Sequence, residues 1–311
     1  MLLVTHYFLT MHTSHESRPS LTRAYLFLGL GIFFISFSAI FTKWTQLPGV
    51  TSGFYRLAIA AAALALPYFK RRTQHPPLDR RVLALAALGG LWFALDTAMW
   101  NTSLTLTSAA SATLLGNTSS ILVALGAWLI FHERLRGRFW SGLFVALIGV
   151  LLVLSADWIT PQDTAAIADT RTLGNLLALT AAFFYASYLL TTQHIRTSLD
   201  TVSYLFIMSG CGAIVLLSFN VARSMPLTGF PPPTWLALLA LGLITHVGGW
   251  LSINYALGHI PASIVSVTLL GQPVLTAILA IPLLGEALFP LQLIGGILAL
   301  IGIYIVNRFG R

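Results

Sequence analysis

Charged residues are scarce in this chain. Only 8% of its 311 residues are Asp, Glu, Lys or Arg, whereas 57% are apolar and the mean hydropathy is +0.83. A soluble globule of this length needs more polar residues than this to cover its surface. The composition therefore excludes an ordinary soluble domain and predicts a protein embedded in a lipid bilayer.

Cysteine and the common motifs of enzyme chemistry are also nearly absent. The single cysteine, Cys211, excludes an intrachain disulfide and redox chemistry by a cysteine pair, and we interpret it as a helix-packing residue. The sequence has no nucleotide-binding glycine loop and no His/Cys spacing typical of a metal site. It therefore predicts no cofactor, no metal ion, no catalytic residue and no ATP-driven mechanism.

Acidic side chains are outnumbered, with nine Asp and Glu against 17 Lys and Arg and a net charge of +8. Such a charge can indicate nucleic-acid binding, but here most basic residues fall in predicted loops on one side of the membrane. These residues are Lys70, Arg71, Arg72, Arg80, Arg81, Arg134, Arg136, Arg138, Arg196, Arg308 and Arg311. Because loops rich in Lys and Arg stay inside, we predict cytoplasmic termini, a plasma (inner) membrane location and no nucleic-acid partner.

Ten apolar segments are long enough to cross a membrane, at about 20 residues for a hydrocarbon core about 30 Å thick. They span residues 24–43, 50–69, 82–103, 108–131, 139–156, 173–193, 201–220, 234–257, 262–284 and 291–307. Most connections are short, so neighbouring segments are expected to pack as antiparallel hairpins. We predict an all-α integral membrane protein with ten transmembrane helices. A cytoplasmic leader at 1–23, with Met11 as an alternative start, precedes them, and a cytoplasmic tail at 308–311 follows.

The chain contains an internal repeat. Residues 101–149 align without a gap on residues 254–302, so equivalent positions are 153 residues apart. Each copy belongs to a half of five predicted helices, and this odd number reverses the direction in which the second half enters the membrane. We therefore predict two inverted five-helix repeats, at 24–156 and 173–307, joined by an exterior linker at 157–172. Inverted repeats of this kind are typical of transporters.

Several residues, in this order, resemble the EamA type of the drug/metabolite transporter superfamily over essentially the whole chain from about residue 24. They are Arg56 within Phe54-Tyr55-Arg56-Leu57-Ala58, then Ala256 and Leu257, Pro273 thirteen residues before Glu286, Gly295, Ile301 and Gly302. The chain departs from the pattern at Ser120, which is equivalent to Pro273, and in an aromatic and serine run at 33–38 where Trp-Gly is common. The resemblance implies a small-molecule substrate and a central cavity lined mainly by helices 1, 3, 4, 6, 8 and 9, with helices 5 and 10 peripheral.

Two charged residues lie inside predicted spans, where a charge costs roughly 2.5–3.5 kcal/mol on insertion scales. Asp96 lies between Trp92 and Trp100 at i, i+4 spacing on helix three. Arg56 lies at a similar depth on helix two. Two interpretations of Asp96 stay open: a structural ion pair with Arg56, or direct contact with a cationic substrate or a coupling proton, in which case Trp100 also contacts the substrate.

Polar residues near the middle of other helices predict a pathway at the membrane midplane. Asn117 and Gln272 have more donors and acceptors than their own helices can satisfy, and His246 is a candidate proton carrier as well as a packing residue. The predicted centre comprises Asn117, Ser120, His246 and Gln272, with Trp250 and Tyr188 as apolar walls. Glu133 and its repeat equivalent Glu286 are interpreted as helix-boundary residues at opposite faces.

These features predict a secondary transporter rather than an enzyme. We expect it to export small metabolites, amino acids or related amphipathic compounds, by rocking of its two halves around a midplane site, with a proton as a possible coupling ion. One alternative is efflux of cationic drugs, which requires an unpaired Asp96. The other is a membrane-embedded enzyme acting on a lipid, but the short loops supply no acid/base cluster at a membrane face.

Overall fold

The protein folds as a bundle of ten helices in a computed structural model, which describes residues 21–73, 78–107, 109–154, 168–284 and 290–309. The helices are α1 Leu21–Thr45, α2 Gly49–Arg72, α3 Arg80–Leu106, α4 Ala109–Asn117 with Ser119–Phe131, α5 Gly137–Leu154, α6 Ala168–Ile195, α7 Thr201–Ala222, α8 Pro232–Leu257, α9 Ala262–Thr268 with Gly271–Leu284, and α10 Pro290–Phe309. Within these ranges nine helices are long and apolar enough to cross a membrane, and α4 contributes a shorter apolar stretch, Leu115–Phe131. The predicted fold class is confirmed.

The helix ends differ from the predicted boundaries by a few residues. α1 begins at Leu21, inside the predicted leader, and α6 begins at Ala168, inside the predicted linker. The rest of the leader, linker residues 157–167, residues 310–311 and Glu286 lie outside the described residues.

Local sequence explains where several helices start and stop. Asp200 caps α7 by accepting hydrogen bonds from the backbone N–H groups of Val202 at 3.0 Å and Ser203 at 3.1 Å. Pro261 precedes α9, where a missing N–H is harmless. His132 has a left-handed backbone, with φ of 54°, and ends α4.

Four helices are irregular near their midpoints. α1 breaks at Phe37, α4 at Thr118 and α9 around Leu269, while α8 is π-helical over Leu241–Trp250. Gln272 N donates to the carbonyl of Leu269 at 2.9 Å, so a one-residue shift in bonding compensates the donor missing at Pro273. Irregular backbone at membrane depth is tolerated where it is buried in protein or lines a cavity.

The peripheral helices α5 and α10 pack mainly on each other and join the two repeats. A Cβ added to Gly149 would lie 2.6 Å from the carbonyl oxygen of Gly295, and a Cβ on Gly302 would lie 2.5 Å from that of Gly142. Gly142 and Gly295 are repeat equivalents, as are Gly149 and Gly302. The contact therefore has the two-fold symmetry of an inverted repeat, and only glycine allows the backbones to approach this closely.

Arg71, Arg134 and Arg196 lie at one face of the bundle, hereafter the basic face. Arg71 Nη1 contacts Asp200 Oδ1 at 3.3 Å, which brings the end of α2 beside the start of α7. The ends of α4 and α6 meet there as well, through Glu133 and Gln193 at 3.3 Å.

α4 and α9 diverge away from the basic face. Their segments nearest that face, Ser119–Phe131 and Ala262–Thr268, pack on each other. Their remaining segments have different main neighbours: Ala109–Asn117 packs on α6, whereas Gly271–Leu284 packs on α1. The space between α4 and α9 therefore widens toward the opposite face.

Candidate functional site

Phe93 is the centre of an aromatic cluster formed by three helices. Its ring, on α3, lies 5.0 Å from Tyr188 of α6, 5.5 Å from His246 and 5.1 Å from Trp250, both of α8, measured between ring centroids. All three contacts are edge-to-face, a favourable arrangement for aromatic rings. Tyr188 and Trp250, predicted as apolar walls, are thus held around a residue that sequence reasoning had passed over.

Tyr185 completes one side of this cluster. Its ring lies 6.0 Å from Trp250 and 6.3 Å from Tyr188, and its side chain is half-buried. The fully buried Tyr188 donates its hydroxyl hydrogen to Asn254 Oδ1 at 2.8 Å, which fixes the ring. We call Phe93, Tyr185, Tyr188 and Trp250 the aromatic box.

Arg56 reaches the box from α2. Its guanidinium carbon lies 5.7 Å from the centroid of Phe93, and Nη1 donates to Ser38 Oγ at 3.4 Å. Its Nε is buried and has no hydrogen-bond partner among the described residues. A cation over an aromatic face is stabilised by the ring quadrupole, so Phe93 holds the guanidinium beside the box.

A direct ion pair between Arg56 and Asp96 is one of the two interpretations that the sequence leaves open. Within the described ranges, no nitrogen–oxygen contact of 4.0 Å or less joins them. The physical reason is that Ser38 and the Phe93 ring hold the guanidinium, while Asp96 lies nearly one turn beyond Phe93 on α3.

The tryptophans on either side of Asp96 contact different helices. Trp92 stacks on Phe184 of α6, with centroids 5.5 Å apart. Trp100 lies beside the break in α4, since a Cβ on Gly116 would be 3.6 Å from its indole. Asp96 lies between them in sequence and is half-buried.

The offset of 153 residues that relates the two repeats also relates residues of this site. Phe93 and His246 are 153 positions apart, and so are Arg56 and Ser209. Arg56 lies over Phe93, and at the equivalent place Ser209 Oγ is hydrogen-bonded to His246 Nε2 at 3.0 Å. Equivalent residues of inverted repeats touch only near the axis that relates them, so the box lies at the interface of the two halves. Phe93 could have been found from the sequence as the residue that this offset makes equivalent to His246.

The predicted polar centre is divided in the structure. Ser120 Oγ donates to the carbonyl of Ser266 at 3.1 Å, and Gln272 Nε2 donates to that of Ile35 at 3.3 Å. Asn117 Nδ2 is buried without a hydrogen-bond partner in the described part of the chain. No hydrogen bond or ring contact of the described residues joins these three to His246. They lie instead close to the breaks in α4, α9 and α1.

A hydrogen-bond network closes the basic face. Glu133, at the end of α4, accepts from Gln193 Nε2 at 3.3 Å and from Ser263 Oγ at 2.5 Å, and Gln193 also accepts from the backbone N–H of Ala262. We call Glu133, Gln193 and Ser263 the latch. Glu133 is a helix-boundary residue, as predicted, but it also joins the first repeat to α6 and α9 of the second.

Charges outside the membrane-spanning segments also join the halves at this face. Burial raises the pKa of Asp200, but hydrogen bonds from Ser203 and Val202 and the charge of Arg71 outweigh that effect and lower the pKa below its ordinary value. The carboxylate therefore stays charged near neutral pH and stabilises the start of α7. Within the described ranges, no group of three or more His, Cys, Asp and Glu side chains could hold a metal ion.

Comparison with known proteins identifies the fold family. Residues 22–155 and 172–308 each match the model of the EamA-like transporter family. An uncharacterized transporter of Archaeoglobus fulgidus is 28% identical over 92% of this chain and 98% of its own length. A probable terminal-alkyne amino-acid exporter of Streptantibioticus cattleyicolor is 25% identical over 81% and 82%. A solved crystal structure shares the fold, with a TM-score of 0.76 and 19% identity over 93% of this chain and 98% of that one. The chain belongs to the EamA-like transporter family.

Proposed function

We propose that this transporter exports amino acids or related amphipathic metabolites through a site formed by the aromatic box, Arg56 and Asp96. The observation that carries the proposal is the position of the box on the axis of the inverted repeat, where a ligand can contact both halves. A midplane site between repeats can be exposed to each side in turn when the halves rock. The similarity to a probable terminal-alkyne amino-acid exporter of Streptantibioticus cattleyicolor agrees with this substrate class.

The arrangement of α4 and α9 supports a carrier whose site is closed at the basic face and open toward the opposite face. The latch holds α4 against α9 at the basic face, whereas the same helices diverge toward the opposite face. This arrangement corresponds to a carrier closed on the side that the positive-inside rule assigns to the cytoplasm. Half-buried Asn117 and Gln272 then line the route between the opposite face and the box. Export requires that the latch open, so that the site can bind substrate from the cytoplasm, and that the latch then close again.

Two residues are candidates for proton coupling. His246 is fully buried, hydrogen-bonded to Ser209 and edge-on to Phe93, so a change in its charge would alter the contact between the repeats. Asp96 is half-buried and has no ion-pair partner within 4.0 Å among the described residues. In this proposal either group binds a proton in one conformation and releases it in the other.

Cationic drug efflux is the second candidate, and the unpaired carboxylate of Asp96 favours it. A lipophilic cation could bind between that carboxylate and Trp100. Arg56, however, already places a positive charge against the aromatic box and would repel a second one there.

Reconstituted vesicles distinguish the candidates. Purified protein in proteoliposomes is expected to exchange radiolabelled leucine or phenylalanine and not tetraphenylphosphonium. Asn117→Leu should retain folded yield, because leucine is compatible with hydrocarbon, and should slow amino-acid flux. Transport of the cation without amino-acid transport would reject the proposal in favour of drug efflux. Normal flux in Asn117→Leu would place the route elsewhere.

A further inference from the structure

We propose that a groove at the basic face, outside the transport pathway, binds an anionic phospholipid, with phosphatidylglycerol as the simplest case. The groove lies between the end of α4 and the start of α5, and the proposal is independent of the substrate that the protein carries. The groove has a volume of about 470 Å³ and is lined by Leu125, Trp128, Arg134, Leu135 and Trp140. Three features support the proposal: the depth of these residues, their exposure to lipid, and the positive charge in and around the groove.

The lining of the groove lies at the depth where lipid headgroups give way to acyl chains. α4 ends at Phe131 and α5 begins at Gly137. Trp128 and Trp140 therefore both lie within one turn of the basic face. Tryptophan is enriched at this boundary because its indole has an apolar body and a polar N–H. Leu125 lies about 9 Å deeper than the end of α4, at 1.5 Å per residue. A bound lipid would place its phosphate near the loop and an acyl chain along Leu125.

The two sides of the groove differ in exposure. On α5, the half-buried Trp140 is held from inside by Phe139, which is fully buried and contacts it edge-to-face with ring centroids 5.7 Å apart. On α4, Trp128 is 56% exposed and Leu125 is 40% exposed. Apolar side chains that are exposed on a membrane helix contact lipid. The groove therefore has one fixed wall and is accessible from the bilayer.

Of the described residues that line the groove, Arg134 alone carries a charge. Its side chain is exposed, and no carboxylate of the described residues lies within 4.0 Å of it. The adjacent Glu133 accepts hydrogen bonds from Gln193 and Ser263, so its carboxylate is engaged in the latch and Arg134 acts separately from it. A guanidinium can hold a phosphodiester through two parallel N–H groups. Arg134 is therefore the anchor that we assign to the lipid phosphate.

Further arginines surround the groove. Arg136 and Arg138 flank the start of α5, and both Arg138 and Arg308 lie against Phe309, with guanidinium carbons 5.4 and 5.9 Å from its ring centroid. In the part of the chain that the structure describes, none of these three arginines has a carboxylate within 4.0 Å. Basic pockets at the cytoplasmic ends of membrane helices attract anionic headgroups. Phosphatidylcholine has the same phosphate but adds a choline cation, which these arginines would repel.

Binding to the wild-type protein is the first test. Phosphatidylglycerol and phosphatidylcholine with identical acyl chains are titrated into the purified, delipidated full chain, and binding is measured by native mass spectrometry. We expect phosphatidylglycerol to bind at least roughly fivefold more tightly, the factor that corresponds to about 1 kcal/mol for one basic residue near a membrane surface. Equal binding of the two lipids would overturn the proposal. Equally strong binding of glycerol 3-phosphate, which lacks acyl chains, would also overturn it and indicate a site for soluble anions.

Charge variants distinguish the groove from general attraction to the basic face. Arg134→Gln should weaken phosphatidylglycerol binding at least about fivefold. Arg80→Gln removes the same charge from an exposed residue at the start of α3, on the same face but outside the groove. Because screening by solvent limits its effect at the groove, we expect this control to weaken binding by less than about twofold. Equal losses in the two variants would assign the affinity to the overall charge of the face and reject the groove.

Tryptophan variants test the apolar wall. Trp128→Ala removes the exposed indole from the groove and should weaken phosphatidylglycerol binding. A second groove of about 470 Å³, between α1 and α8 at the opposite face, provides the control. Trp44 is exposed in that groove, whose described lining includes no arginine, so Trp44→Ala should retain the wild-type affinity. Equal losses in the two variants would contradict a lipid site between α4 and α5. The comparison of the two lipids on wild-type protein decides the matter even if a variant does not fold.

Discussion

Glu133→Gln should weaken closure of the basic face. The substitution retains shape and removes the charge, so both hydrogen bonds of Glu133, from Ser263 Oγ at 2.5 Å and Gln193 Nε2 at 3.3 Å, lose their charge assistance. A hydrogen bond to a charged group contributes about 1.5–3 kcal/mol and a neutral one about 0.5–1.5. Because the second contact is long, we expect a total loss of about 1–2 kcal/mol, which shifts the ratio of closed to open protein by roughly 5- to 30-fold.

Cysteine labelling measures this shift. In a Cys211→Ala background, Ser266→Cys introduces a buried thiol on the segment of α9 that packs against α4. Membrane-impermeant maleimide applied from the basic face should label position 266 faster in Glu133→Gln by about the same factor, if opening limits the reaction. Arg134→Gln, which changes the exposed neighbouring residue, is the control and should leave the rate unchanged. Equal labelling rates with Glu133 and with Glu133→Gln would refute the role of the latch in closure. An equal increase in Arg134→Gln would refute it as well.

Three further predictions concern the site and the repeat interface. Arg56→Ala and Asp96→Ala should each destabilise by less than the roughly 3–5 kcal/mol expected when one partner of a direct buried ion pair is removed, and their losses should be nearly additive in the double variant. Melts of the three variants in detergent would reveal a direct pair if each loss reached that range and the double variant lost less than their sum. His246→Gln should flatten the pH dependence of transport between about pH 5 and 8 if the imidazole carries the proton, and an unchanged profile would leave it a packing role. Gly149→Val should destabilise the fold by about 1–3 kcal/mol through overpacking, whereas Gly210→Ala, with no atom within 4 Å of the added Cβ, should not; similar melting points for both would argue against the close α5–α10 contact.

The helices and their symmetry could be predicted because they depend on local features of the chain. Runs of about 20 apolar residues identify spans regardless of how the spans pack. The offset of 153 residues relates the halves by sequence identity alone. Helical periodicity places His246 and Trp250 on one face of α8, and in the structure both contact Phe93, as Tyr188 does. Their role in the pathway stays a prediction.

Phe93 could not be predicted in the same way. An isolated phenylalanine in an apolar helix looks the same in sequence whether it faces lipid or the protein interior. Its place under Arg56 depends on the approach of α2 to α3 at Gly53, where an added Cβ would lie 2.8 Å from Thr97 Cγ2. That approach involves residues 44 positions apart in sequence, and no local pattern reports it.

The sequence alone determined that this protein is a membrane bundle of two inverted repeats, because hydrophobic length and internal identity are properties of the chain itself. Only the tertiary structure decided which groups the half-buried arginine contacts. Arg56 and Asp96 stand at similar depth on neighbouring helices, which in sequence predicts a pair, yet the guanidinium is held by Ser38 and Phe93 instead. The rotation of the helices and the breaks in α1, α4 and α9 determine where these side chains lie. Both result from packing among segments far apart in the chain.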